Sequence, residues 1–218
     1  MPLFKRKTSR QDDQSMQHGV GLITVYKPKS TISEQFKTLR TNILFSNADK
    51  QIKSLVITSS GVSEGKSTVS ANIAVTFANQ GLRTLLLDAD MRRPTVHATF
   101  SMSNDKGLVN LLTEKADRLP AEEYIIPTSV ENLSVLPTGP VPPNPSELLS
   151  SHRMTKLIED LTNHFDMVIF DAPPVGSVTD AQIIASKCDA TILVVPFGIA
   201  QKAAVMEAKS MLDNVDAN

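Results

Sequence analysis

Ser60-Gly61-Val62-Ser63-Glu64-Gly65-Lys66-Ser67-Thr68 is the stretch on which the reading of this chain turns. The apolar run Leu55-Val56-Ile57 precedes it and reads as a buried strand; residues 67–80 follow as a helix stopped by Gly81. A glycine-bearing loop between strand and helix that ends in Lys-Ser is a phosphate-binding loop (P-loop). Gly61 and Gly65 let backbone N–H groups converge on an anion, and the helix adds its positive N-terminal end. Lys66 carries a point charge to the β- and γ-phosphates, and the Ser67 hydroxyl is placed to ligate Mg²⁺. The expected nucleotide cradle is therefore Gly61, Val62, Ser63, Glu64, Gly65, Lys66, Ser67 and Thr68, with ATP and Mg²⁺ as its ligands. Ser60 stands where the usual pattern has glycine, a mild departure.

Working outward, the same strand–helix alternation continues. Thr84–Leu87 reads as a strand ending in Asp88, Met167–Phe170 as one ending in Asp171, and Thr191–Val195 as a third. Thr31-x-x-Glu34 is a capping-box sequence, and Phe36, Leu39, Ile43 and Leu44 follow at helical spacing, which predicts a helix over 32–46. Gly107–Thr113 predicts a short helix, and Tyr124–Ile126 and Leu133–Leu136 two extended pieces. After the proline loop Gly139–Pro145, Asn144 is placed to cap a helix running to about His164, and Ala200–Asp213 predicts the last helix. Near-continuous apolar strands alternating with helices imply an α/β fold: a P-loop NTPase with a mostly parallel sheet covered by helices on both faces. Ligands in such sheets bind at the carboxyl ends of the strands. The P-loop, Asp88 and Asp171 all fall at that edge.

Carboxylates there are what nucleotide chemistry needs to hold a metal and orient a nucleophile. Leu87-Asp88-Ala89-Asp90 supplies two and Phe170-Asp171 a third. One aspartate after a strand is commonly a loop starter; two strand ends in a chain with a P-loop point to catalysis. Asp171 is read as the metal carboxylate, direct or through water. Asp88 and Asp90 divide between metal binding and accepting the proton of an incoming hydroxyl.

Bulk properties narrow the classes. At 218 residues, 41% hydrophobic and 21% charged, the chain suits one packed domain, with a polar arm over 1–29 and a domain over 30–218. A net charge of −1 argues against nucleic acid as partner. Lys5, Arg6, Lys7 and Arg10 form a local basic cluster, read as a solvated tail with anionic lipid or an acidic partner as the alternative. Cys188 is the only cysteine, so no internal disulfide forms and a cytoplasmic location is expected; packing is its expected role. His18, His97, His152 and His164 lack metal-ligand spacing. No stretch reaches the roughly 18 apolar residues a membrane span needs, so membrane association is expected to come through a partner.

Taken together, these stretches resemble the bacterial tyrosine kinases, in particular the separate cytoplasmic kinases of Gram-positive capsule and exopolysaccharide systems. The residues that carry the resemblance are Thr58–Thr68, Asp88-Ala89-Asp90-Met91-Arg92-Arg93-Pro94, Asp171-Ala172-Pro173-Pro174 and the long match Leu136–Leu149. It covers roughly residues 30–218. The resemblance implies ATP, Mg²⁺ and catalytic roles at Lys66, Ser67, Asp88, Asp90 and Asp171. It also implies tyrosine-bearing protein substrates, a membrane adaptor of the polysaccharide co-polymerase type that recruits and activates the kinase, and a homo-oligomer. Arg92 and Arg93 either touch phosphate or the acceptor, or make structural ion pairs.

The family's oligomerisation signature, Glu-x-x-Arg-x-x-Arg, reads Glu34, Lys37, Arg40 here; lysine keeps the charge but loses the planar fork. A tyrosine cluster normally closes the chain, yet Tyr26 and Tyr124 are the only tyrosines. A further apolar strand is expected after the last helix, so the domain is read as lacking that strand and the tyrosine cluster. Two other functions compete: a switch ATPase of the partitioning or division-site type, and a non-catalytic nucleotide-binding scaffold for polysaccharide export. The first usually carries an extra lysine early in the P-loop, and positions 60–64 contain none.

Overall fold

A computed structural model describes residues 14–46, 51–114 and 120–218. The basic cluster at residues 5–10 lies outside them. The strands are β1 (Ser54–Ser59), β2 (Thr84–Asp88), β3 (Ile126–Pro127), β4 (Leu133–Leu136), β5 (Met167–Asp171) and β6 (Ala190–Val194), in one sheet of order β3-β4-β2-β5-β1-β6. All pairings are parallel except β3 with β4. β1, β2 and β5 are buried at every position, as strands covered on both faces must be.

The side-chain alternation of these strands splits the interior in two. Val56, Leu85, Leu87, Val168 and Phe170 point to one face, which is covered by α5 (Leu108–Thr113), α7 (His152–His164), α8 (Asp180–Ala185) and α9 (Lys202–Asp213). Leu55, Ile57, Leu86, Met167 and Ile169 point to the other. That face carries α3 (Lys66–Ala78), buried from Ser70 to Ala78, with α1 (Ile23–Tyr26) and α2 (Thr31–Phe45) packed outside it. Two shorter helices, α4 (Val96–Thr99) and α6 (Pro145–Ser150), sit in the loops after β2 and β4.

Several sequence expectations shift. The α2 cap is Ser30, whose hydroxyl accepts from the Ser33 N–H, one residue before the expected Thr31. The helix expected from Pro145 to His164 is two helices, because Ser151 adopts an extended ψ of 154° and re-caps the chain through the Met154 N–H. Asn144 does not cap α6; its amide donates to the Glu147 carboxylate at 2.6 Å. Tyr124 lies just after a 3-10 turn (Ala121–Glu123), and only Ile126–Pro127 pairs as a strand.

The arm expected over 1–29 does not fit its second half. Leu22 and Thr24 are buried, and the Asn72 side chain holds them to α3 by accepting from the Thr24 N–H and hydroxyl and donating to the Gly21 carbonyl. Gly19, at φ +70°, lies so close to α4 that a Cβ would fall 2.3 Å from the Thr99 backbone. Residues 19–24 therefore pack against α3 and α4.

Candidate active site

The P-loop joins β1 to α3 at the carboxyl edge of the sheet, with Gly65 at φ +90° turning the chain into the helix. Its base is tied down before any ligand arrives. Thr58 donates to the Pro173 carbonyl at 2.6 Å, Ser59 to the Gly61 carbonyl at 2.7 Å, and the Ser60 hydroxyl to Glu64 at 2.8 Å. Glu64 also accepts the Gly61 N–H at 2.9 Å. Ser60 at the glycine position thus has a job: it helps fold Glu64 back over the loop. Gly61 is used differently from expectation, because its N–H serves Glu64 and it shapes the loop without lining the cavity.

Residues 62–68 do line a cavity of about 500 Å³, together with Asp90, Arg93, Thr95, Pro174 and residues 14–16 and 18–20. Lys66 stands in the middle of the charges. Its ammonium is 3.0 Å from Asp90 Oδ2 and 3.6 Å from Asp171 Oδ1, and donates to the Ser67 hydroxyl at 3.2 Å. Burial pulls its pKa down, but the charges of Asp171 and Asp90 outweigh this and hold the amine protonated well above the usual lysine value.

The three carboxylates are brought together but are not equivalent. Asp171, at the end of β5, is fully buried; Oδ1 accepts the Ser70 hydroxyl at 3.0 Å, while Oδ2 has no hydrogen-bond partner. Burial raises its pKa, opposed by Lys66 and by the adjacent Ser67 hydroxyl. Asp90 faces the cavity and accepts the Arg93 N–H at 3.0 Å. Asp88 does not reach the cavity. Its Oδ2 accepts the N–H groups of Thr95 and Val96 at 2.9 Å each, and Oδ1 accepts that of Asp90. It caps α4 and folds the loop that aims Asp90, so the expected direct metal role does not fit its placement. Burial, then the Asp171 charge, push its pKa up to about 7.

Of the paired arginines, Arg93 lines the cavity, whereas Arg92 turns away to Asp180, Nε to Oδ2 at 2.9 Å. Asp180 is fully buried and also accepts the Ser146 hydroxyl at 2.6 Å, so it ties the loop after β2 to α6 and α8. Cys188 is packed against the interior, and burial raises its thiol pKa. Sequence reading missed the segment 14–20, Ser70, Asn72 and Asp180. Each acts through a residue far away in the chain, and none sits in a local pattern.

The fit to Mg²⁺ can be judged from the donors. Asp171 Oδ2 is a buried oxygen with no hydrogen-bond partner, and the Ser67 hydroxyl acts on the same carboxylate. Among the described residues no group of three or more histidine, cysteine or acidic side chains forms a metal cage. Mg²⁺ takes one or two protein oxygens, with phosphates and water completing its shell, and the Ser67 hydroxyl and the Asp171 carboxylate are two such oxygens.

Comparison with known proteins completes the picture. The family described as AAA domain matches residues 51–217. Tyrosine-protein kinase YwqD of Bacillus subtilis is 45% identical over 212 residues, 97% of this chain and 85% of that protein. The chain belongs to the bacterial tyrosine kinases. The kinase domain of the Escherichia coli tyrosine kinase ETK superposes with TM-score 0.85 at 32% identity, covering 91% of this chain and 77% of that one. The crystal structure of the chimerical protein CapA2B2 gives TM-score 0.85 at 38% identity, covering 95% of each chain. The cell division ATPase MinD of Pyrococcus furiosus shares the fold more loosely, at TM-score 0.62 and 25% identity over 74% of this chain and 67% of that one. The bacterial tyrosine kinases and MinD thus share a P-loop sheet, and this chain is closer to the kinases. Among its described residues no helix is long and apolar enough to cross a membrane.

Proposed function

We propose that this protein transfers the γ-phosphoryl group of ATP to tyrosine hydroxyls of proteins, as part of capsule or exopolysaccharide synthesis, with a membrane adaptor as activator. One observation carries the reading: Lys66 is held between Asp90, which faces the cavity, and Asp171, which keeps a buried oxygen free. The backbone of residues 62–68 would cradle the phosphates, and Lys66 would leave its carboxylate partners for the β- and γ-phosphates. Ser67 and Asp171 would hold Mg²⁺, which supplies neutralisation of the phosphate charge when bound. Asp90, released from Lys66 and open to the cavity, would accept the phenol proton. Asp88 would act through the loop it folds.

The adaptor enters as a linkage argument. A cytoplasmic segment that binds the ATP-loaded form better must raise ATP affinity by the same factor, and a coupling of about 1–3 kcal/mol is typical. The test is incubation with ATP and Mg²⁺, with and without the adaptor's cytoplasmic segment, followed by phosphotyrosine detection on a random Glu–Tyr copolymer. Phosphotyrosine formation supports the reading. ATP hydrolysis with no labelled tyrosine under either condition would return the chain to the switch-ATPase class.

A further inference from the structure

The sequence has two tyrosines, and the structure treats them in opposite ways. Tyr124 is 8% exposed, and its hydroxyl donates to Glu114 Oε1 at 2.9 Å. Transfer to that oxygen would have to break this hydrogen bond on a side chain packed into the core. Tyr26 closes α1 and is 77% exposed, between the exposed Val25 and Lys27. It has a surface position with basic neighbours, Lys27 and Lys29, that suit a phosphate once attached.

Its backbone is well held. The Tyr26 N–H donates to the Leu22 carbonyl and that of Lys27 to Ile23. Ser33 of α2 donates to the Lys27 carbonyl at 2.7 Å. The Thr24–Asn72 bonds fix α1 to α3, and Asn72 lies six residues beyond Lys66, about 9 Å along the helix axis. Thr24 points inward from this anchor and Tyr26 points to solvent. Residues 14–16 and 18–20 line the P-loop cavity, but Tyr26 does not. The phenol is thus exposed on a hydrogen-bonded support and is not part of the cavity of its own chain.

We propose that Tyr26 is a phosphoacceptor used between copies of this chain, an inference that rests on the tyrosine-kinase reading above. The phenol oxygen of Tyr26 in one copy attacks the γ-phosphorus of ATP held by another. The bond from that phosphorus to the β–γ bridging oxygen breaks, ADP leaves with the electron pair, and the phenol proton passes to Asp90 of the ATP-bound copy. The product is phosphotyrosine on α1, beside the helix that bears Glu34 and Lys37. Its added charge would sit next to the surface where copies are expected to meet.

The experiment mixes wild-type protein with a Lys66→Met copy of different mass, adds ATP and Mg²⁺, and maps phosphate by peptide mass spectrometry. The Glu–Tyr copolymer is labelled in a parallel reaction. Phosphate on the Tyr26 peptide of the Lys66→Met copy is the expected result, reduced at least tenfold when that copy also carries Tyr26→Phe. Phosphate confined to the wild-type copy would overturn transfer between copies. Phosphate on Tyr124 with Tyr26 unlabelled would overturn the site. A labelled copolymer with neither tyrosine modified would sink this proposal alone, whereas an unlabelled copolymer would remove the kinase reading beneath it.

Discussion

The Ser70 hydroxyl stands 3.0 Å from Asp171 Oδ1, and Oδ2 of the same carboxylate has no hydrogen-bond partner. One turn after Lys66, α3 thus fixes which oxygen of the β5 aspartate remains available. Ser70→Ala should leave the carboxylate free to rotate and raise the Mg²⁺ concentration for half-maximal activity by about tenfold, the low end for loss of a ligand-orienting contact. Ser70→Thr, which keeps the hydroxyl, should recover most of it. A Mg²⁺ titration of phosphotyrosine formation reads both, and an unchanged midpoint in the alanine variant would remove Ser70 from this role.

Lys66→Met should weaken ATP binding by about 10- to 100-fold, the loss of a charge-assisted contact of roughly 1.5–3 kcal/mol. Transfer should fall further, because the phosphate charge develops in the transition state. The structure adds a pH signature. Without the ammonium at 3.6 Å from Asp171, that buried carboxylate should hold its proton to higher pH. The thermal midpoint of the variant should therefore drop more at pH 8 than at pH 5, and calorimetry with ATP checks the binding.

Asp88 sets a slope of stability against pH. Its folded-state pKa is raised to about 7 from 3.8, so between these values the folded chain holds a proton that the unfolded chain has released. Stability from this group therefore falls as pH rises through that window and levels off above it. Asp88→Asn should flatten the wild-type decline in thermal midpoint between pH 4.5 and 7.5 (~3 pH units, spanning the shift). A slope equal to the wild type's would mean that Asp88 does not retain the proton.

Glu34, Lys37 and Arg40, expected to act together on one face of α2, divide in the structure. Glu34 and Lys37 form an exposed ion pair at 2.8 Å, while Arg40 turns inward and donates to the Thr76 carbonyl at 2.9 Å. Glu34→Ala should then shift any homo-oligomer toward monomer with a change in fold stability below about 1 kcal/mol, as for an exposed pair. Arg40→Ala should lower the thermal midpoint by several degrees, about 1–2 kcal/mol, through the lost hydrogen bond and packing against α3. Light scattering beside a melting curve separates the two effects.

The parts of this protein that were legible in its sequence are those whose cause is local. The P-loop is a strand, a turn and a helix within some 25 residues, and β1, β2 and β5 are runs that no other element accommodates. The carboxylates at the strand ends were visible, but their division of labour was not. Asp88 and Asp90 differ because the loop folds its N–H groups of Thr95 and Val96 back onto one of them, which a spacing pattern does not encode. Ser70 and Asn72 looked like ordinary polar residues of a helix. Their partners are Asp171, 101 residues later, and Thr24, 48 residues earlier. The break at Ser151 was hidden for the opposite reason: good helix formers flank a residue that caps as readily as it continues.

The order of the sheet has a consequence for how the protein is made. β1, which leads into the P-loop, pairs only with β5 and β6, and Thr58 at its end bonds to Pro173, 115 residues further on. On a ribosome adding ~5–20 residues per second, that strand waits on the order of ten seconds for its first neighbour, while β2 and β4 can already pair. A nascent chain halted before Asp171 would display every residue of the phosphate motif and hold no nucleotide. The carboxyl edge of the sheet is completed late, when β5 slides between two strands that were synthesised long before it.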